Sequence, residues 1–167
     1  MSEDFKKIER LSKDQYYINI SEEIYQRSTC LRRKFGAVLV KNEEIIATGY
    51  NGAPRGVYSC VDKGYCWRDK NNIAHGTQYE KCFAVHAETN AIISAARKDM
   101  IDATMYCAGE NFDKSSCTSG SCVFCCRLIL NSGITKLVFR DEKGILRIEY
   151  PQRAWKTENF VITGLYG

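Results

Sequence analysis

Histidine is the scarcest reactive residue in this chain: among 167 residues there are two, His75 and His86. A metal site built mainly from imidazoles is therefore excluded, and any metal centre must draw mostly on sulfur. Proline is as rare, at Pro54 and Pro151, and no repeat or low-complexity segment is present. No apolar run approaches the roughly 18 residues that span a bilayer. The opening "MSEDFKKIER" is charged throughout, so no signal peptide is expected, and the expected location is the cytoplasm, off the membrane. Neither sign of charge dominates: 24 basic against 20 acidic residues leave +4. With no basic stripe interleaved with aromatics, nucleic acid is not the expected partner. The length and the 44% hydrophobic content suit one globular domain over residues 1–167.

Cysteine, by contrast, is abundant. Nine are present, at 30, 60, 66, 82, 107, 117, 122, 125 and 126. An odd count without a secretory signal points to metal or thiol chemistry more than to a disulfide framework.

Residues 13–28 carry Tyr17, Ile20, Ile24 and Tyr25 at helical spacing, which predicts an amphipathic first helix. Two apolar runs, 35–41 and 45–50, flank Asn42-Glu43-Glu44 and predict a hairpin. "NGAPRG" is a loop, and residues 51–81 hold no sustained periodicity. So long a loop in a small domain is functional or pinned by something. "VHAETNAIISAARK" predicts the strongest helix, with Ala91, Ile92, Ala95 and Ala96 on one stripe. A strand at 103–109, a polar loop at 110–121, a helix opening at Cys122 and closed by Gly133, and a strand at 134–139 follow. "GILRIEY" is a further strand candidate. The order α-β-β-α-β-α-β predicts a mixed sheet with helices on both faces. Sites in such folds form where helix starts meet strand ends.

His86 and Glu88 stand two apart in "AVHAETNAI". Inside a helix they would point to nearly opposite sides, since each residue turns about 100°. They can share one task only if His86 lies at the very start of the helix. Cys122 and Cys125, three apart at the start of another helix, share a face. His86 with two thiolates would give Zn²⁺ three protein ligands and leave the fourth tetrahedral position open, as in catalytic rather than structural sites. Glu88 beside that open position can then move protons. A redox pair or two buried thiols are the alternatives for Cys122 and Cys125, and Cys126 competes with Cys125 as a ligand.

His-x-Glu followed by Cys-x-x-Cys resembles the zinc nucleobase deaminases. "STCLRRKFGAVLV", "IIATGYNGAPRG", "VHAETNAI" and "NSGITKLVF" resemble, in that order over residues 15–140, the deoxycytidylate (dCMP) deaminase family. That resemblance implies the three-layer α/β fold of the cytidine deaminases and hydrolysis of dCMP at C4, with zinc on His86, Cys122 and Cys125 and Glu88 as proton shuttle. It implies Asn51 at the sugar and a homo-oligomer; Arg33 and Arg55, in the loops flanking the hairpin, are the candidates for the phosphate, with solvated surface arginine as the alternative. Some members of the family carry a second, structural zinc, which would fall here on Cys30, Cys60, Cys66 and Cys82, with His75 as a substitute for one of them; four ordinary thiols are the alternative. Such an ion would explain how the long loop stays ordered. Cys107 is expected in the core and Cys117 free in its loop. Two departures from the family pattern bear on the substrate. Ser121 stands where proline is usual before the first cysteine, and residues 107–121 are longer than the usual link. Deamination of another nucleotide or base, or a non-catalytic zinc module, are the rival expectations.

Overall fold

The strand β1, Arg33–Lys41, has no polar face along its apolar run, the mark of a strand covered on both sides. Ala37 and Leu39 enter one core, and Val38 and Val40 the other. The structure, a computed structural model, describes residues 9–74 and 77–155. His75 and the tail after Trp155, including the end of the expected domain, lie outside the described residues.

β1 pairs with β2 (Glu44–Tyr50) through a turn in which Asn42 and Glu43 both take positive φ, 51° and 69°. That left-handed pair suits the twist of a two-residue hairpin. The sheet is completed by β3 (Thr104–Asn111), β4 (Lys136–Arg140) and β5 (Leu146–Glu149), in the order β2-β1-β3-β4-β5. Only the β3–β4 pair is parallel, so the sheet is mixed, as the element order implied.

One face carries α1 (Lys13–Tyr25), whose Tyr17 and Ile18 join Val38, Tyr106 and Val138. The Ser12 hydroxyl caps α1 by accepting from the Gln15 amide at 3.1 Å. α1 stops three residues short of the expected end, in three-residue turns over 26–28. The Ser28 hydroxyl then turns away to Asn51.

Between β2 and the other face runs the segment that had no periodicity. It contains two single-turn helices, α2 (Cys60–Lys63) and α3 (Trp67–Lys70), and a 3-10 turn at Tyr79–Lys81. α2 is held by a reciprocal cap between Ser59 and Asp62.

The second face carries α4 (Ala87–Ile93) and α6 (Val123–Ser132), packing Ala87, Ala91 and Ile129 over Leu39, Met105 and Leu137. α4 lies so close to β2 that a Cβ at Gly49 would fall 2.3 Å from the Ala87 carbonyl oxygen and 2.4 Å from the Ala91 nitrogen. The single helix expected over 85–98 is two pieces. Ser94 donates back to the Asn90 carbonyl at 2.7 Å, Ala96 is extended, and α5 (Arg97–Met100) begins anew. A serine that bonds its own helix's backbone weakens the next turn, which the alanine count alone conceals. α6 ends at Gly133 with φ 88°, the expected left-handed cap. α7 (Pro151–Trp155) follows β5. Helix, sheet and helix thus form the three layers expected. Among the described residues, no helix is long and apolar enough to cross a membrane.

Candidate metal centre and its cavity

Two helix starts meet at the site. His86 is the residue before α4, with extended backbone, φ −70° and ψ 154°, and Cys122 stands in the same position before α6. The helix-start placement argued from the His86–Glu88 spacing is therefore what the fold contains. The approach to His86 is fixed by a two-bond bridge between Val85 and Gly52, at 2.7 and 3.1 Å. The Gly49 contact fixes α4 itself.

The His86 Nδ1 lies 3.4 Å from the Cys122 Sγ and 3.3 Å from the Cys125 Sγ. All three donor atoms fall within 4.8 Å of one another, and among the described residues no other group of three does so. Ordinary Zn–S and Zn–N bonds at tetrahedral angles put sulfur and nitrogen about 3.6 Å apart, so this trio fits zinc with little adjustment. The chemistry fits as well. The Cys122 thiol is pulled well below its usual range by the Cys125 thiol donating to it and by His86 beside it, while Cys125 holds its proton. His86 is raised, first by its hydrogen bond to Cys122. A thiolate already favoured at a helix start is the state a metal needs. Cys126 points elsewhere: it is fully buried, with its Sγ 3.7 Å from the Ser121 carbonyl oxygen. Cys125, and not Cys126, thus lies in the group with His86 and Cys122.

Glu88 is buried, and burial raises its carboxyl above the usual range against the pull of His86. The hydroxyl of Ser121 lies against it and favours its charged form. That hydroxyl is itself completely buried and makes no hydrogen bond of full geometry among the described residues. Where the family usually has proline, this chain therefore sets a polar group beside the acid.

His86, Glu88 and Cys122 open onto one cavity of about 150 Å³. Asn51 and Arg33 border it, as expected; Arg55 is exposed and does not. Much of the Asn51 amide is committed to the fold. Its Oδ1 accepts from the Phe35 amide at 2.8 Å and the Ser28 hydroxyl at 2.6 Å, and its Nδ2 donates to the Arg33 carbonyl at 2.9 Å. Arg32, Arg68 and Tyr79 are among the cavity residues missed from the sequence. Arg32 sat unremarked beside Arg33, and the other two lie in an aperiodic segment where no pattern separates a buried arginine from a solvated one.

The long 107–121 segment folds back on the sheet. The Ser119 hydroxyl donates to the Cys107 carbonyl at 2.9 Å, and the Ser119 amide to the Arg140 carbonyl at 3.0 Å. Thr118 and Gly120 thereby border the cavity. Cys107 is in the core, as expected, and Cys117 is free of any disulfide, as expected, but buried rather than exposed on its loop. It packs against Gly109, where a Cβ would come 3.2 Å from its Sγ.

Cys30, Cys60, Cys66 and Cys82 also line the cavity. They are near enough to act on one another: burial, then the other three thiols, pushes Cys60 up to about 11. They are not at mutual ligand distance.

The model of the cytidine and deoxycytidylate deaminase zinc-binding region matches residues 11–141. Deoxycytidylate deaminase of Mycobacterium phage D29 is 38% identical over 134 residues, 77% of this chain and 94% of that protein. The enzyme of the same name from Schizosaccharomyces pombe is 34% identical over 131 residues, 78% of this chain but 37% of its own length. Among solved structures, the cyanophage S-TIM5 dCMP deaminase in complex with dCMP and dUMP superposes with a TM-score of 0.52 at 25% identity, covering 77% of this chain and 82% of that one. The match spans both helix starts, the residues between them and four of the five strands: this chain belongs to the cytidine and deoxycytidylate deaminase family.

Proposed function

We propose that this protein is a zinc-dependent hydrolase that converts dCMP and water to dUMP and ammonia. One observation carries the reading: a His-Cys-Cys trio at zinc spacing opens, through His86 and Cys122, onto a cavity also lined by a buried carboxyl two residues from its histidine. The named relatives and the dCMP-bound neighbour support the substrate.

His86, Cys122 and Cys125 would hold the zinc, whose contribution when bound is to make water a nucleophile near neutral pH. Glu88 carries the protons. It takes one from the attacking water as oxygen bonds to C4 and passes it to N3; it then takes the second from the new C4 hydroxyl and gives it to the amino group, which departs as ammonia as the C4–N bond breaks and the C4 carbonyl forms. Its burial suits this work, because a carboxyl raised toward neutrality both accepts and returns a proton. Ser121 steadies the charged form. Arg33 and Asn51, which also line the cavity, are assigned to the phosphate and the sugar. A non-catalytic zinc module would have no use for a buried acid there.

The four remaining cavity thiols support a second, structural zinc on Cys30, Cys60, Cys66 and Cys82, the long insert closing around it. A cytoplasmic homo-oligomer completes the reading.

The test is ammonia release from dCMP, CMP, dCTP, deoxycytidine, cytosine and guanine. Turnover of dCMP above the rest is expected, together with tight inhibition by a hydrated-pyrimidine nucleotide analogue. Preference for another member of the panel would favour the rival reading that Thr118 and Gly120 on the long loop reshape the pocket.

A further inference from the structure

We infer that Thr89 is a positioning residue of the metal centre: its hydroxyl donates to the Cys125 sulfur, holds that sulfur in place as a ligand and draws charge from it. The inference rests on the zinc reading above and adds a fourth residue to the centre, whichever base is the substrate.

The two helix starts are built alike. His86 and Cys122 are the residues before α4 and α6. Thr89 stands three residues after His86, as Cys125 stands three after Cys122. Residues three apart at a helix start share a face, so each start turns two side chains toward the other. Three of the four groups brought together in this way are the ligand trio, His86, Cys122 and Cys125. The fourth is a hydroxyl. The Thr89 Oγ1 lies 3.7 Å from the Cys125 Sγ, within hydrogen-bond reach of an atom as large as sulfur.

The hydroxyl is free for this bond. A threonine inside a helix commonly returns its hydroxyl to the carbonyl three or four residues back, as Ser94 in the same segment does with Asn90. Among the described residues Thr89 makes no such bond, and Cys125 is the hydrogen-bond partner its hydroxyl has.

The sulfur, for its part, needs a donor. Cys125 is 2% exposed, so water does not solvate its charge, and a buried anion without donors is costly. The Cys122 sulfur has the amide of Cys125 against it. The Cys125 sulfur meets His86 and Cys122, both turned to the same ion, and the Thr89 hydroxyl. Glu88 nearby adds like charge rather than relief. Thr89 is the donor left to it.

The direction of the bond follows from the proton count. With no ion, either the thiol or the hydroxyl can donate. A zinc-bound sulfur has given up its proton, so the hydroxyl must donate and the sulfur accept. Such outer partners orient a ligand and adjust its basicity, and their loss typically costs about 10- to 100-fold in metal affinity.

The experiment measures zinc affinity by chelator competition on the unmutated protein and its Thr89→Val and Thr89→Ser variants, and records the absorption of each with cobalt(II) loaded in place of zinc. Cys122→Ser protein marks the part of each signal that belongs to this centre rather than to the other thiols. Thr89→Val keeps the branched shape and loses the donor. Its zinc affinity should fall about 10- to 100-fold, and its sulfur-to-cobalt band should move to longer wavelength, because a thiolate stripped of a hydrogen bond gives up electrons more readily. Thr89→Ser keeps the donor and should leave both close to the unmutated protein. A merely structural role would change stability without moving the band. Either quantity unchanged in Thr89→Val overturns the proposal, and so does equal loss in both variants, which would assign the side chain to packing. Neither measurement uses a nucleotide. An unmutated protein that shows both effects yet turns over no dCMP therefore contradicts the deaminase reading and leaves this inference standing, whereas one that binds no zinc at this centre overturns both.

Discussion

Two sets of metal-capable side chains share one cavity wall, and they are built differently. His86, Cys122 and Cys125 stand at the starts of α4 and α6, which the sheet holds from below, and their donor atoms already lie at zinc spacing. Cys30, Cys60, Cys66 and Cys82 come from a strand approach and from single-turn helices, and they stop short of ligand distance. A site on regular elements inherits its geometry from the core; a site on an irregular insert must obtain geometry from its ligand. The first set should therefore tolerate metal removal as a shape, and the second should not.

The largest effect should follow Glu88→Gln. Loss of the proton carrier should lower kcat by about 10³-fold, within the usual range for general acid–base groups, with zinc content unchanged. Steady-state kinetics beside elemental analysis checks both halves. Cys125→Ser should lose the catalytic zinc and nearly all activity, whereas Cys126→Ser should keep its zinc, because that thiol faces the Ser121 carbonyl.

On the other side of the comparison, Cys60→Ser should lower zinc from about two ions per chain towards one and cut thermal stability, in keeping with metal that contributes folding energy. Elemental analysis giving a single zinc in the unmutated protein would remove the structural ion from the account. The support beneath the first set can be broken at Gly49→Ala. The added methyl meets helix backbone rather than a movable side chain, so about 1–3 kcal/mol of stability should be lost in denaturant titrations. The smallest effect should be at Ser121→Ala, a few-fold fall in kcat with an unchanged KM for dCMP, since the hydroxyl acts through Glu88.

The difference between the two sets also explains what could be read from the sequence. His86, Glu88 and the Cys122–Cys125 pair were legible because helix geometry converts spacing directly into direction. The apolar runs 35–41 and 45–50 likewise marked the two strands of the hairpin. The break at Ser94 was not legible, since one side-chain bond to the Asn90 carbonyl outweighs a favourable run of alanines. Nor was the burial of Cys117, because the polar 110–121 segment returns to the sheet through Ser119 and its backbone bonds. Arg68 shows the limit most clearly. Its position depends on Ala74, Thr77 and Tyr79, contacts made within a segment that has no period to betray them.

The central claim is that Glu88 and the His86–Cys122–Cys125 centre form one hydrolytic machine acting on dCMP. The most direct measurement mixes dCMP with protein and with Glu88→Gln protein of equal zinc content, and follows dUMP and ammonia. The account predicts both products, in equal amounts, from the unmutated protein and a nearly silent variant. Silence from the zinc-loaded unmutated protein, or equal turnover by the variant, would contradict it.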